Sequence, residues 1–295
     1  MGIEGVLFLT AGFGRRDEPL SLIRPKCLLP AGDTTVLGRL ARQASAADPE
    51  KIRINASRCP DEILYELYEV WPEERCLLYF EERPLGSVGT LARHRDVPES
   101  GSWLLMNTDM VIPELDTGAL VEVHRKTGAD WTAVTGGFPD GGEYSPLRVD
   151  AEGGFGRGGN IETHYWGVSI IEPSIFELAG RLQAEDGLFS RLASLAREKG
   201  LVLRTCRQEG PWLDMGRIHG LRENILSMGS FVHPSACISS DARLSGRWNI
   251  GRGCMVGGGA EISDSVMLAG STLESGSLAG ALLPWFCSSS DGEWI

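Results

Sequence analysis

The last quarter of the chain carries an aliphatic residue at every sixth position. An α-helix repeats its buried face every 3.6 residues and a strand every two, so neither element requires a period of six. Such a period implies a six-residue unit that stacks on copies of itself, which limits the architecture more narrowly than any other feature of the sequence. The seven positions are Val232, Ile238, Leu244, Ile250, Val256, Ile262 and Leu268.

Small or β-branched residues follow most of these positions four residues later, and Trp248 is the exception. They are Ala236, Ala242, Cys254, Ala260, Val266 and Thr272. Hexads of this kind resemble the left-handed parallel β-helix, in which each hexad forms one flat face and three hexads form a coil. Because Glu274 stands where the next aliphatic residue belongs, we expect residues 273–295 to form a cap or an interface strip. Trp285, Phe286 and Trp294 could then cover the open end of the coil.

The first three quarters of the chain alternate between strand-like and helix-like patterns. Residues 3–9, 76–80 and 102–107 are short apolar runs, as in buried parallel strands. Residues 34–46 and 60–70 carry apolar residues at helical spacing. This alternation predicts an α/β fold whose sheet is covered on both faces.

The composition limits the partners that the chain can bind. Its 295 residues are 42% hydrophobic and carry a formal net charge of −12, with a pI near 5.0. We therefore expect no general nucleic-acid or anionic-membrane surface, because the net charge repels phosphate polymers. No apolar stretch approaches the roughly 20 residues that cross a bilayer and no signal-type leader is recognisable, so we expect a cytoplasmic protein. The seven cysteines are scattered without a C-x-x-C pair, which predicts reduced thiols.

Residues 9–30, LTAGFGRRDEPLSLIRPKCLLP, combine a glycine turn with a cluster of cations directly after the first apolar run. Gly12 and Gly14 allow the backbone to approach an anion closely and to point its N–H groups at it. Since the cations make this segment locally positive in an acidic protein, a polyphosphate is the expected ligand. Neither the Walker loop nor the dinucleotide fingerprint is present. The four cations are Arg15, Arg16, Arg24 and Lys26.

The full pattern L-T-A-G-F-G-R-R followed by R-P-K-C-L-L-P resembles the signature of sugar-1-phosphate nucleotidyltransferases. The resemblance implies a Rossmann-like nucleotidyltransferase domain with a mixed, mostly parallel sheet over residues 1–227. A short hexapeptide-repeat β-helix with a C-terminal cap follows over residues 228–295. Arg16 then takes the place of the catalytic arginine and Lys26 that of the phosphate-binding lysine. The backbone of Ala11, Gly12 and Gly14 cradles the nucleotide.

Three later blocks resemble the same family in the expected order. E-E-R-P-L-G-S-V-G-T at residues 81–90 implies that Gly86 and Glu82 contact the nucleobase. L-L-M-N-T-D-M at residues 104–110 and P-W-L-D-M-G at residues 211–216 imply two aspartates, Asp109 and Asp214, that bind Mg²⁺.

One family element is missing from the chain. Many members carry E-K-P, whose lysine binds the sugar phosphate, whereas residues 155–170 contain no lysine and offer only Arg157. This segment resembles two branches of the family, the N-acetylmuramate 1-phosphate uridylyltransferases and the mannose-1-phosphate guanylyltransferase-like proteins. On that resemblance Glu162 and Trp166 become the sugar-binding candidates.

The implied reaction is nucleotidyl transfer from a nucleoside triphosphate to a sugar 1-phosphate, with release of pyrophosphate. An alternative is a catalytically weak regulatory paralogue that binds a nucleotide sugar and a partner subunit. Acyl transfer on the β-helix is a third possibility, although about two coils offer a short groove for coenzyme A. By analogy alone we favour guanosine or uridine and a mannose-like sugar, and we expect a homo-oligomer through the β-helix.

Overall fold

The computed structural model describes residues 2–12, 20–96, 98–139, 144–156 and 158–289. The chain divides into two compact units. The first comprises residues 1–13 and 40–213, and the second comprises residues 14–39 and 214–295. Since the second unit includes an N-terminal segment, the boundary between residues 227 and 228 stays a prediction.

Eight α-helices and twelve strands precede the C-terminal repeats in the described residues. The helices are α1 (Leu20–Ile23), α2 (Val36–Ser45), α3 (Pro60–Tyr68), α4 (Gly86–Arg93), α5 (Thr117–Thr127), α6 (Pro173–Ala179), α7 (Ala193–Glu198) and α8 (Leu221–Ser227). The strands are β1 (Ile3–Leu9), β2 (Pro30–Ala31), β3 (Thr34–Thr35), β4 (Lys51–Ala56), β5 (Cys76–Phe80), β6 (Ser102–Asn107), β7 (Met110–Val111), β8 (Trp131–Gly136), β9 (Leu147–Val149), β10 (Ile161–Ile171), β11 (Leu203–Arg207) and β12 (Leu213–Asp214).

An eight-stranded mixed sheet organises the first unit. Its order is β11-β8-β10-β6-β1-β4-β5, with β9 paired to β10. The neighbours β6, β1, β4 and β5 are parallel to one another, and β11 is parallel to β8, whereas β10 runs antiparallel to β6, β8 and β9. The mixed, mostly parallel sheet expected from the sequence is confirmed, and three of its strands are the predicted apolar runs.

Close packing at the sheet centre explains a glycine in the first strand. Val6, Leu7 and Phe8 are buried. A Cβ on Gly5 would lie only 2.5 Å from the Trp103 ring on the neighbouring strand. The space beside β1 is therefore filled by the indole, and no side chain fits at Gly5.

Local signals set the helix ends. Asp116 precedes α5 and its Oδ1 accepts a hydrogen bond of 2.8 Å from the Ala119 N–H. Gly128 ends the same helix with φ +56, a left-handed conformation that glycine adopts without strain. In α3, Pro60 occupies the first turn together with Asp61 and Glu62, as the sequence predicts. Among the described residues, no helix has both the length and the apolar character that spanning a membrane requires.

Short parallel strands form the C-terminal part of the second unit. They are β13 (Phe231–Val232), β14 (Cys237–Ile238), β15 (Arg243–Ile250), β16 (Met255–Val256), β17 (Glu261–Met267), β18 (Thr272–Leu273), β19 (Ser277–Ala279), β20 (Leu282–Leu283) and β21 (Ser288–Ser289). Val232 pairs with Ile250 and Ile238 with Val256, an offset of three hexads. This pairing is consistent with the expected β-helix, and its left hand stays a prediction.

The coil differs from the expected repeat after Ile262. Ile250 pairs with Met267 instead of Leu268, and Val256 pairs with Leu273 instead of Glu274. This coil is therefore one residue shorter than three hexads. Leu273 therefore takes the buried position that the period assigned to residue 274. Glu274 does not interrupt the row of buried aliphatic side chains. The strands continue to Ser289, so residues 277–289 extend the coil where a cap was expected.

The expected aromatic cap is only partly described. Trp285 is buried, whereas Phe286 is 62% exposed and its ring lies 4.8 Å from the Arg24 guanidinium carbon. Trp294 lies outside the described residues.

Candidate functional site

Predicted site residues and polar residues that were not predicted lie together at the ends of neighbouring parallel strands of the first unit. Thr10–Gly12 follow β1, Asn55 is near the end of β4, Glu81 follows β5, and Asp109 follows β6. Because these strands are parallel, their carboxyl ends lie at one edge of the sheet, where ligands bind in folds of this class.

Hydrogen bonds join the turn after β1 to β4. The Thr10 N–H donates a 2.8 Å hydrogen bond to Asn55 Oδ1, and the Thr10 hydroxyl donates to the Asn55 carbonyl. Ala11 is buried and Gly12 is exposed. A Cβ on Gly12 would meet no atom of the described residues within 4 Å, so none of these residues closes one side of the turn. Gly14, Arg15, Arg16 and Arg157 lie outside the described residues, and the roles of Gly14 and Arg16 stay predictions.

Glu81, which was not among the predicted site residues, holds the loop after β5 in place through hydrogen bonds. Glu81 is 2% exposed, and its Oε1 accepts hydrogen bonds of 3.0 Å from Asn55 Nδ2 and 3.1 Å from the Thr90 hydroxyl. The other oxygen accepts a 2.9 Å hydrogen bond from the Leu85 N–H. The neighbouring Glu82 is exposed. The signal available in the sequence was position, since Glu81 follows directly on the last residue of the strand.

Gly86 begins α4 in the left-handed region, with φ +70. A Cβ at this position would lie 3.3 Å from the Ala184 carbonyl oxygen. Glycine therefore relieves both the backbone strain and a tight contact, and it leaves the start of α4 exposed for a ligand to approach.

Asp109 follows β6, the strand that neighbours β1 and its glycine turn. Leu9 pairs with Asn107, and the hydroxyl of the buried Thr108 donates a 2.9 Å hydrogen bond to the Leu9 carbonyl. This bond fixes the turn, while Asp109 itself is exposed. Burial raises the pKa of Tyr165, and the charge of Asp109 raises it further, so Tyr165 stays protonated.

The donor chemistry of Asp109 fits a hard divalent cation. Mg²⁺ is commonly held by one or two carboxylates together with substrate phosphates and water, and an exposed carboxylate at a strand end meets this requirement. The described residues contain no group of three or more His, Cys, Asp or Glu side chains that could hold a metal by itself.

Lys26 and Asp214 meet at one turn of the second unit. Lys26 Nζ donates a 2.9 Å hydrogen bond to the Gly216 carbonyl. The Gly216 N–H in turn donates a 2.7 Å hydrogen bond to Asp214 Oδ1, and Arg217 Nε lies 3.2 Å from Asp214 Oδ2. The structure thus brings the predicted lysine and the second predicted aspartate to one turn. Asp109 belongs to the first unit, and joint binding of Mg²⁺ by the two aspartates stays a prediction.

The two sugar-binding candidates, Glu162 and Trp166, differ in exposure. Glu162 is on β10 and pairs with Arg148 of β9 at 3.0 Å, and both side chains are exposed. Trp166 is 1% exposed, with its Nε1 donating to the Gly137 carbonyl at 3.2 Å. A Cβ on Gly136 would lie 2.0 Å from this indole, so Trp166 fills the core. The buried indole presents no free face for a sugar to stack on, and the sugar-side role of Trp166 stays a prediction.

A second indole is accessible beside Trp166. Trp212 is partly exposed, and its Nε1 donates a 3.2 Å hydrogen bond to the Trp166 carbonyl. Its ring packs edge-on against His164 at 4.7 Å and against Tyr144 at 5.5 Å between centroids. The sequence signal for Trp212 was its place in the P-W-L-D-M-G block, two residues before Asp214.

Comparisons with known proteins show what this chain resembles. Residues 6–203 match the family model of the MobA-like NTP transferase domain. A candidate mannose-1-phosphate guanyltransferase of Sulfolobus acidocaldarius is 24% identical over 281 residues, which span 88% of this chain and 75% of that protein. Mannose-1-phosphate guanylyltransferase 1 of Arabidopsis thaliana is 24% identical over 298 residues, which span 92% of this chain and 78% of that protein.

Among solved structures, a candidate glucose-1-phosphate thymidylyltransferase from Bacillus anthracis, in complex with sucrose, resembles this chain with a TM-score of 0.66 and 14% sequence identity. The match covers 77% of this chain and 95% of that chain. At this identity the likeness shows a shared fold.

Proposed function

Because this chain belongs to the MobA-like NTP transferase domain family, we propose that it transfers a nucleotidyl group from a nucleoside triphosphate to a sugar 1-phosphate. The products are an NDP-sugar and pyrophosphate. The observation that supports this most directly is the convergence of the Thr10–Gly12 turn, the Glu81–Gly86 loop and Asp109 on one edge of the sheet. The reaction takes place in the cytoplasm in this proposal, as expected from the sequence.

The described residues supply binding and charge neutralisation, and no protein nucleophile is needed. The side of Gly12 that no described residue closes lets phosphate oxygens approach the backbone closely. Lys26 carries a positive charge for the phosphates and is held by its hydrogen bond to Gly216. Asp109 and Asp214 are the residues that would hold Mg²⁺. When bound, this ion neutralises phosphate charge and orients the reacting groups.

Trp212 replaces Trp166 as the aromatic side chain proposed to contact the sugar. The apolar face of a sugar ring stacks on aromatic side chains, and Trp212 is the accessible indole held next to the Trp166 backbone. Relatives are named as mannose-1-phosphate guanylyltransferases, so GTP with mannose 1-phosphate is the first substrate pair to test.

Pyrophosphate release tests the activity. Four nucleoside triphosphates are combined with mannose 1-phosphate, glucose 1-phosphate and N-acetylmuramate 1-phosphate, with Mg²⁺ or with EDTA. We expect turnover of at least one pair, and loss of turnover in EDTA.

Two lysine substitutions provide the matched control. Replacing Lys26 by alanine removes a preorganised donor and should lower kcat/KM by about 10²–10³-fold. Lys126→Ala removes an exposed lysine of α5 and should leave kcat/KM unchanged. If folded protein turns over no pair, the nucleotide-sugar-binding regulatory paralogue becomes the better interpretation.

A further inference from the structure

One buried amide joins the two loops that the proposed function assigns to the nucleotide. Asn55 is 3% exposed near the end of β4, between β1 and β5. Its Oδ1 accepts hydrogen bonds from the Thr10 N–H at 2.8 Å and the Ala11 N–H at 3.4 Å. Its Nδ2 donates hydrogen bonds of 3.0 Å to Glu81 Oε1 and to the Thr90 hydroxyl.

The chemistry of this position requires an amide. On one side the partners are backbone N–H groups, which can only donate. On the other side the main partner is the carboxylate of Glu81, which accepts when ionised. Among side chains of this length, only asparagine offers an acceptor and a donor at the same end. An aspartate would present acceptors to Glu81, and an apolar side chain would leave buried groups unpaired.

Glu81 carries the connection on to the start of α4. Its second oxygen accepts the Leu85 N–H, and Leu85 is the residue before Gly86. Thr90, one turn further along α4, is bonded to both Asn55 and Glu81. A continuous chain of hydrogen bonds therefore runs from the glycine turn through β4 to the first two turns of α4.

This network lies at the last rung of the sheet. Leu9 pairs with Asn55, and Ala56 pairs with Phe80, and these are the final pairs of β1 with β4 and of β4 with β5. The strands are therefore joined without the Asn55 side chain. The Asn55 side chain instead orders the loops that follow β1 and β5 and fixes the distance between them.

We propose that Asn55 is a positioning residue for the nucleoside triphosphate. Acting with Glu81, it sets the distance between the Thr10–Gly12 turn and the Glu81–Gly86 loop. Asn55 itself is buried and acts through these loops. The inference rests on the proposed function, because that function makes these two loops the nucleotide site.

Two substitutions test the network, and a third serves as the matched control. Asn55→Asp keeps the size of the side chain but removes both donors, and Glu81→Gln places an N–H group toward other donors. Glu172→Gln is the same change in another hydrogen-bonded carboxylate of the first unit. Glu172 accepts hydrogen bonds from His124 Nε2 at 2.8 Å and from the hydroxyl of Ser102. Ser102 is the first residue of β6, so this carboxylate lies at the end of the strand opposite to Asp109.

The Kd for the nucleotide is measured by calorimetry with GTP and Mg²⁺, or with whichever triphosphate the wild type binds best. The Tm and the KM for the sugar 1-phosphate are measured for the same variants. We expect Asn55→Asp and Glu81→Gln to raise the Kd for the triphosphate about tenfold or more. The KM for the sugar 1-phosphate should change less than about twofold. Glu172→Gln should lower Tm without changing the triphosphate Kd.

An unchanged triphosphate Kd in both network variants would overturn the inference, as would an equal loss of affinity in Glu172→Gln. If Asn55→Asp does not fold, Thr90→Val removes part of the network with little change in shape. A Kd raised about threefold there supports the inference, and an unchanged Kd overturns it. Wild-type binding without turnover would contradict the proposed function alone.

Discussion

Asp109 and Glu81 are two acids at the same edge of the sheet with opposite exposure. Asp109 is exposed, whereas Glu81 is 2% exposed and accepts three hydrogen bonds. An exposed carboxylate can meet an ion or a phosphate-bound metal from solvent, while a buried one with all its partners in the protein holds structure in place. Burial thus separates the residues that can contact substrates from those that position them.

Replacing Asp109 by asparagine tests its predicted role. The amide keeps the size of the side chain but removes the charge that would hold Mg²⁺, so we expect kcat/KM to fall about 10²–10³-fold with little change in Tm. Pyrophosphate release at increasing Mg²⁺ concentration is the measurement. Asp96→Asn, at an 88% exposed side chain, is the control and should behave as wild type. Equal activity of both variants would contradict the assignment of Asp109.

The sequence indicated where the site lies better than which side chains enter it. Strand ends could be predicted from apolar runs, and these placed Gly12 and Asp109 correctly at neighbouring strands. The resemblance pointed to Glu82, and the sequence could not show that Glu81 is the buried acid, because β5 is apolar throughout and shows no alternation that would indicate which face is buried. Trp166 was selected on the resemblance of its segment to two branches of the family, and only packing against Gly136 shows that its indole is in the core.

At the scale of elements, the six-residue period predicted parallel strands offset by three hexads. It failed after Ile262 because the offset falls to 17 residues between Val256 and Leu273 and to 16 between Ile262 and Leu278. Shortened corners of this kind leave no periodic trace in the sequence. The continuation of the strands to Ser289 was therefore not predicted.

The close approach of successive turns gives a stability prediction. A Cβ on Gly257 would lie 1.9 Å from the Glu274 carbonyl oxygen of the next turn, so Gly257→Ala should cost about 3 kcal/mol of unfolding free energy. Gly259 has φ +67 but open space around it, so Gly259→Ala should cost only about 1 kcal/mol. Thermal unfolding of both variants is the measurement, and equal losses would show that the turns are not stacked this closely.

The start of β1 anchors a loop through one carboxylate. Glu4 accepts hydrogen bonds from the backbone N–H groups of Glu99, Ser100 and Gly101 and pairs with Lys51 at 2.8 Å. Burial acts to raise the pKa of Glu4, but Lys51 and the backbone donors outweigh it and lower the pKa from 4.5 to about 2. The ionised carboxylate therefore stabilises the folded state.

This shift predicts a pH dependence. Because the folded-state pKa is depressed, the stabilisation is present above pH 4.5 and is lost as the pH falls toward 2. Glu4→Gln should lose on the order of 2–3 kcal/mol at pH 7, and its difference from wild type should shrink below pH 4.5. Urea unfolding across this range measures it. Glu99→Gln, at an 81% exposed partner of the same lysine, should lose less than about 1 kcal/mol. A difference that does not vary with pH would contradict this role of Glu4.

For the whole molecule, a net charge of −12 means that a triphosphate must be bound by local groups against an unfavourable overall field. A triphosphate that binds these groups stabilises the native state, so the selectivity among triphosphates can be measured as a rise in Tm. At a free concentration of 100 times Kd, a triphosphate contributes about 2.7 kcal/mol and should raise Tm by about 5 °C.

A thermal-shift screen with Mg²⁺ and four triphosphates checks this expectation. We expect guanosine or uridine triphosphate to give the largest shift, EDTA to reduce it, and acetyl-coenzyme A to give none. A shift with acetyl-coenzyme A alone would instead favour acyl transfer on the C-terminal coil.

The reversed direction of β10 has a consequence for how acceptor preference can evolve. Gly136 ends β8 and Ile161 begins β10 at the edge where β1, β4 and β6 end, so the connection between them starts and finishes at the edge of the proposed nucleotide site. Insertions and substitutions in this single connection can reshape the acceptor pocket. The strands proposed to hold the donor nucleotide keep their register, so new acceptors can be acquired without rebuilding the rest of the enzyme.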